Sequence, residues 1–133
     1  MVLLFVPLLL LVGVGCAEGR HASDALESDV ASKVHDAAVA NGVRGPVALA
    51  GARVYAESGC ASCHTYGGVG SSNLGAPDLT AEGSKRRGVR KQIAFLRCPD
   101  CVDSGSAMPP FDALGRADLR RLAVFLEASK GGG

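Results

Sequence analysis

The chain has 133 residues, 14 Lys and Arg against 13 Asp and Glu, and only 5% aromatic residues. A near-neutral, aromatic-poor chain lacks the basic, base-stacking surface that nucleic-acid binding needs, which excludes that class. The length allows one small domain with a limited apolar core, and no internal repeat, paired carboxylates, Ser/His/Asp set or phosphate-binding loop appears along it.

Residues 1–17 read as a leader. Met1 to Gly15 carry no charge and are mostly Val, Leu and Gly, a run too short for a comfortable span but suited to the apolar part of a secretory signal. No Lys or Arg precedes it, which departs from the usual pattern. Two processing schemes stay open: Gly15-Cys16 resembles a lipoprotein box with lipid on Cys16, and Gly15-x-Ala17 offers the small residues of ordinary cleavage. Both imply export to the periplasm or the outer face of the cytoplasmic membrane, where spare thiols oxidise.

Residues 18–45 form an N-terminal extension. Leu26, Val30, Val34 and Ala37 recur at helical spacing from Ser23, a candidate cap, to Ala40, with Asn41-Gly42 as the stop. Asp24, Glu27, Asp29 and Asp36 line the other side. This helix either packs on the core or spaces the rest of the chain from a membrane. The main domain is expected over 46–130, with 131–133 as a glycine tail. Pro46 opens a second helix, with Val47, Ala50, Gly51, Val54 and Tyr55 on one face; Ser58-Gly59 ends it.

Cys60-Ala61-Ser62-Cys63-His64 follows. Cys-x-x-Cys-His is the arrangement for attaching a c-type haem: the two thiols add to the vinyl groups along one porphyrin edge, and the adjacent imidazole reaches the iron as an axial ligand. A disulfide, a zinc knuckle or a redox dithiol beside a chance His is the plainer alternative. A third helix is predicted from Lys85, capped by Ser84, to Arg97, interrupted at Gly88. Its side chains Lys85, Arg86, Arg87, Arg90 and Lys91 form either a solvated face or a docking patch for an acidic partner. Cys98-Pro99-Asp100-Cys101 lacks a following His, so it carries no second haem. In an exported chain a short disulfide is the default, a redox-active dithiol the sharper alternative. Taken with Cys60 and Cys63 it also resembles a zinc ribbon with an overlong gap.

Beyond Met1, Met108 is the one methionine, set in Ser106-Ala107-Met108-Pro109-Pro110-Phe111. Two prolines stiffen that loop, which suits a thioether held against iron as second axial ligand rather than a core filler. His21 and His35 are the alternatives for that place. A last helix runs from Gly115, with Asp118 in its first turn and Leu119, Leu122, Ala123 and Leu126 as its stripe.

Over Pro46 to Lys130 these motifs, together with Gly75-Ala76-Pro77-Asp78-Leu79-Thr80, resemble the small monohaem class I cytochromes c of bacteria. The resemblance implies an all-α fold of three to five helices around one covalent haem c, in a carrier that moves single electrons between redox proteins of a respiratory chain. It further implies that the Pro77 carbonyl receives the second ring N–H of His64, that Leu79 presses on the haem face, and that the first and last domain helices cross where Gly51 lets Phe125 approach. A haem subunit of a membrane oxidase or reductase is the nearest alternative. An enzyme or gas sensor would require an open axial position.

Overall fold

The computed structural model describes residues 18–132, with side chains from Ala22 onward. Cys16 and both cleavage schemes therefore lie outside the described residues, as does the side chain of His21. In chain order the helices are α1 (Glu18–Ala40), α2 (Pro46–Glu57), α3 (Val89–Arg97), the single turn α4 (Pro99–Val102) and α5 (Gly115–Ala128). Three 3₁₀ turns sit at Cys60–Ser62, Glu82–Lys85 and Asp112–Leu114. The strands β1 (Thr65–Tyr66) and β2 (Val69–Gly70) form a minimal antiparallel hairpin, Thr65 opposite Gly70 and Tyr66 opposite Val69. Gly67 and Gly68 both take positive φ in its turn, as a tight hairpin of this hand requires. The class is all-α, as read from the sequence.

The crossing of α2 on α5 fixes the centre of the molecule. A Cβ built on Gly51 would overlap the backbone carbonyl of Arg121 and lie 2.6 Å from Phe125 Cβ, so only hydrogen at this position lets the helices meet. Phe125 is fully buried there with Tyr55 and Tyr66. Their ring centroids lie 4.7 to 5.9 Å apart in tilted and edge-on pairs, and each such side chain contributes about 1.5–3 kcal/mol by leaving water. Gly83 repeats the device: a Cβ there would run into the Glu127 carbonyl at the far end of α5.

The extension is not simply a spacer. Val34, Ala38 and Val43 are fully buried, and Asn41 Nδ2 donates to Tyr66 Oη at 2.9 Å and to the Thr80 carbonyl at 2.7 Å. A boundary at 45/46 therefore cuts through a packed core. Only the first part of α1 projects: Leu26, first residue of the expected stripe, is 66% exposed. Ser23 falls inside the helix rather than capping it, because α1 begins at Glu18.

The third helix also starts later than its sequence suggests. Arg86 and Gly88 take positive φ, which ends the Glu82–Lys85 turn and delays α3 to Val89. Ser84 does not cap it; its hydroxyl donates to the Ala81 carbonyl at 2.6 Å.

Candidate functional site

The turn after α2 is tied down on every side. Gly59 adopts a left-handed conformation at its entry. The Cys60 carbonyl then accepts from the N–H groups of Cys63 and His64 at 3.2 and 2.9 Å. The chain beyond the hairpin folds back over it: Ser71 N–H donates to the Ala61 carbonyl, Asn73 N–H to that of Cys63, both at 3.0 Å, and Asn73 Nδ2 to that of Ser62 at 2.6 Å. Gly70 makes this approach possible, since a Cβ there would strike the carbonyls of His64 and Ala61. Asn73 and Gly70 were not singled out by the sequence, although both hold the turn that presents the thiols.

His64 Nδ1 donates to the Pro77 carbonyl at 2.8 Å. That bond fixes the ring and leaves Nε2 free to bind a metal. The Pro77 loop is itself anchored: Leu79 N–H donates to the Thr65 carbonyl at 2.9 Å, Thr65 Oγ1 to Asp78 Oδ2 at 2.6 Å and Thr80 N–H to Asp78 Oδ1 at 2.8 Å. Partial burial pushes the Asp78 carboxyl up, but the hydrogen bonds from Thr65 and Thr80 outweigh it and hold the group below its ordinary value. On the inner side Tyr55 Oη donates to the His64 carbonyl at 3.4 Å. Burial, first among its causes, drives the Tyr55 phenol far up, so it remains a neutral donor.

Cys60, Cys63, His64, Leu79 and Met108 all line one cavity of about 770 Å³. Its remaining wall is largely apolar, with Leu96, Phe111, Leu122 and Leu126 among the lining residues. Cys60 and Cys63 are free thiols, and burial pushes Cys60 up to about 12. The donor set of two free thiols, one buried and one partly exposed, an imidazole with one nitrogen already oriented and a half-buried thioether fits a covalently attached haem. It does not fit zinc: Cys98 and Cys101 are bonded to each other, and among the described residues no three His, Cys, Asp or Glu side chains converge on a metal site. His35 is exposed on α1, with Nδ1 3.6 Å from Asp36 Oδ1, and does not line this cavity.

The basic residues divide. Lys85 Nζ lies 2.7 Å and Arg87 Nε 3.1 Å from the carboxylate of Glu82. Glu82 is buried and also receives Gln92 Nε2 at 3.3 Å. All four residues stand in the cavity wall, but the Lys85 and Arg87 side chains stay 46% and 48% exposed, so they are ion-paired members of the basic surface. Arg86, Arg90 and Lys91 are exposed as well. Glu82 was missed because a lone carboxylate ahead of a basic run reads as surface.

Residues 46–126 match the family described as cytochrome C oxidase, cbb3-type, subunit III. The chain belongs to that family. Its cofactor is accordingly haem c, and its domain is a monohaem c-type cytochrome. The chain is 32% identical over 108 residues to the cbb3-type cytochrome c oxidase subunit CcoP of Cereibacter sphaeroides, covering 77% of this chain and 32% of that protein. It is 27% identical over 86 residues to cytochrome c oxidase subunit 2 of Alkalihalophilus pseudofirmus, covering 60% of this chain and 25% of that one. The chain thus spans a third or less of the length of these relatives. No solved structure gives a significant match. Among the described residues no helix is long and apolar enough to cross a membrane.

Proposed function

We propose that this cbb3-type subunit III domain is a one-electron relay in a respiratory chain, with its haem c bound by thioethers to Cys60 and Cys63 and ligated axially by His64 and Met108. The observation that carries this reading is the cavity shared by the two thiols, the oriented imidazole and the thioether from a separate loop. Bound there, the haem supplies an iron that alternates between ferric and ferrous states.

The protein groups serve that exchange in distinct ways. His64, held by the Pro77 carbonyl, presents Nε2 with its ring already oriented, and the bond at Nδ1 increases its basicity. Met108 offers a weak thioether that favours the ferrous state and raises the potential. With both axial positions filled, oxygen and peroxide chemistry is discouraged, which separates a relay from a haem enzyme or gas sensor. Leu79 and the apolar wall offer the bound haem an apolar contact surface.

The names of both relatives favour a place beside a membrane oxidase, with the domain either a free carrier or a haem subunit. On this reading the leader exports the chain to the periplasmic side, with lipid on Cys16 or cleavage after Ala17 deciding between anchored and soluble forms. Arg86, Arg90 and Lys91 form the surface for an acidic redox partner. The absorption spectrum of the purified exported protein tests the proposal: a low-spin, six-coordinate reduced spectrum supports it, a high-spin spectrum indicates an open iron, and the absence of haem removes it.

A further inference from the structure

The second Cys-x-x-Cys has no part in holding the cofactor, yet it is built into the segment that presents Met108. Cys98 and Cys101 are disulfide-bonded across the junction of α3 and α4. Pro99 between them is fully buried, whereas Cys101 is exposed. A ladder of hydrogen bonds leads from this point to the thioether. Asp103 N–H donates to the Pro99 carbonyl at 2.8 Å, Ser106 N–H to the Asp103 carbonyl at 3.0 Å, and Met108 N–H reaches Ser106 Oγ at 3.4 Å. Beyond Met108, Phe111 N–H donates to the Leu96 carbonyl at 2.8 Å and closes the loop at its base. Asp103 and Ser106 also line the haem cavity. Met108 and Phe111 pack against the core only in part, and the cross-link is the covalent restraint of this stretch.

We propose that the Cys98–Cys101 disulfide is a thiol-exchange site whose redox state sets how firmly Met108 is held at the cavity; this rests on the reading of Met108 as axial ligand. The reactant is a dithiol reductant, small or protein-borne. Its thiolate attacks the exposed Cys101 sulfur, and the Cys98 sulfur leaves as thiolate and takes a proton. The second thiol of the reductant then displaces Cys101, which is protonated in turn. Two electrons and two protons pass from the reductant's dithiol to the protein, and the reductant leaves as a disulfide. The α3–α4 junction then loses its closure, the ladder to Met108 loosens, and the iron becomes reachable by an added ligand.

The test uses the haem-loaded full chain made ferrous with ascorbate, which leaves disulfides intact. The rate of carbon monoxide binding is compared for untreated protein, protein treated with dithiothreitol and alkylated, and the Cys98→Ser/Cys101→Ser variant, with Met108→Ala as reference. The result expected is binding at least tenfold faster in both opened forms than in untreated protein, approaching the reference. Unchanged rates in protein whose mass shows both thiols alkylated would overturn the proposal, as would a native disulfide that resists dithiothreitol. If Met108→Ala itself binds no faster than untreated protein, the ligand reading fails and takes this proposal with it. A fast reference beside slow opened forms rejects the switch alone.

Discussion

The two sides of the haem cavity are built on different principles. On the His64 side, α2 crosses α5 with no space for a methyl group at Gly51, three aromatic rings pack against one another, and the hairpin seals the Cys60–His64 turn. On the Met108 side the chain from Arg97 to Leu114 contains one four-residue helical turn and one 3₁₀ turn, three prolines, and a disulfide. The first side is fixed by close packing, which tolerates little change. The second combines a few hydrogen bonds, a cross-link and the partly buried Met108, Phe111 and Leu114, with less regular structure to fix it. On the proposed ligation, the strong ligand His64 comes from the closely packed side and the weak ligand Met108 from the other.

The largest effect is expected at Gly51. Gly51→Val drives a branched side chain into the Arg121 carbonyl and Phe125, so the helix pair must separate. Overpacking of this kind commonly costs about 1–3 kcal/mol, and contact with backbone places it at or beyond the upper end. Thermal unfolding should show loss of the cooperative transition or a large fall in midpoint. A variant as stable as the parent would mean that the crossing is not what holds the rigid side.

Met108→Ala should act in the opposite manner, sparing the fold and changing the iron. Potentiometric titration should show a fall on the order of 0.2 V, within the range of about 0.8 V that axial ligands span, and cyanide or carbon monoxide should bind readily. An unchanged spectrum would transfer the ligand role to another residue.

Which of these contrasts the sequence made legible follows from the range of the interactions. Cys60-x-x-Cys63-His64 and Met108-Pro109-Pro110 are local patterns whose chemistry is written in adjacent residues, and the buried face of α5 follows from spacing alone; that of α2 follows only in part, since Val47 of the expected face is 45% exposed while Ala48, Ala52 and Ala56 are buried. What was missed depends on contacts between distant residues. Asn41, polar and near the end of an expected spacer, reaches Tyr66 and Thr80; no periodicity announces such a bond. The pairing of Lys85 and Arg87 with Glu82 depends on a buried carboxylate, and burial of a single carboxylate is decided by how α5 packs. Likewise, the two-residue strands are too short to leave an alternating pattern, and the late start of α3 depends on the positive φ of Arg86, which a non-glycine residue does not advertise.

A smaller effect sharpens the account of the rigid side. Asp78→Ala removes the acceptor for Thr65 and Thr80 and should cost about 1 kcal/mol, given the exposure of the site. Because the carboxyl is held below its ordinary value in the folded state, its contribution is fully present above the unfolded value of about 4 and is lost as pH falls through the depressed one. The parent's advantage over Asp78→Ala in denaturant titrations should therefore be constant near neutrality and shrink below about pH 4. An advantage that persists in acid would contradict it.

The smallest effect lies at the surface. Neutralising Arg86, Arg90 and Lys91 together should lower the rate of electron exchange with an acidic partner at low salt and flatten its salt dependence, whereas neutralising Lys85 or Arg87 also removes a partner from the buried Glu82 carboxylate and should lower stability as well. Unchanged stability in the Lys85 and Arg87 variants would remove the distinction between ion-paired and unpaired cations.

The central claim is that the haem is bonded to Cys60 and Cys63, and the intact mass of the denatured, exported protein tests it most directly. The account predicts polypeptide plus one haem in the parent, surviving acidified organic solvent, and no retained haem in Cys60→Ala/Cys63→Ala. Haem that extracts freely from the parent, or that stays bonded in the double variant, would contradict it.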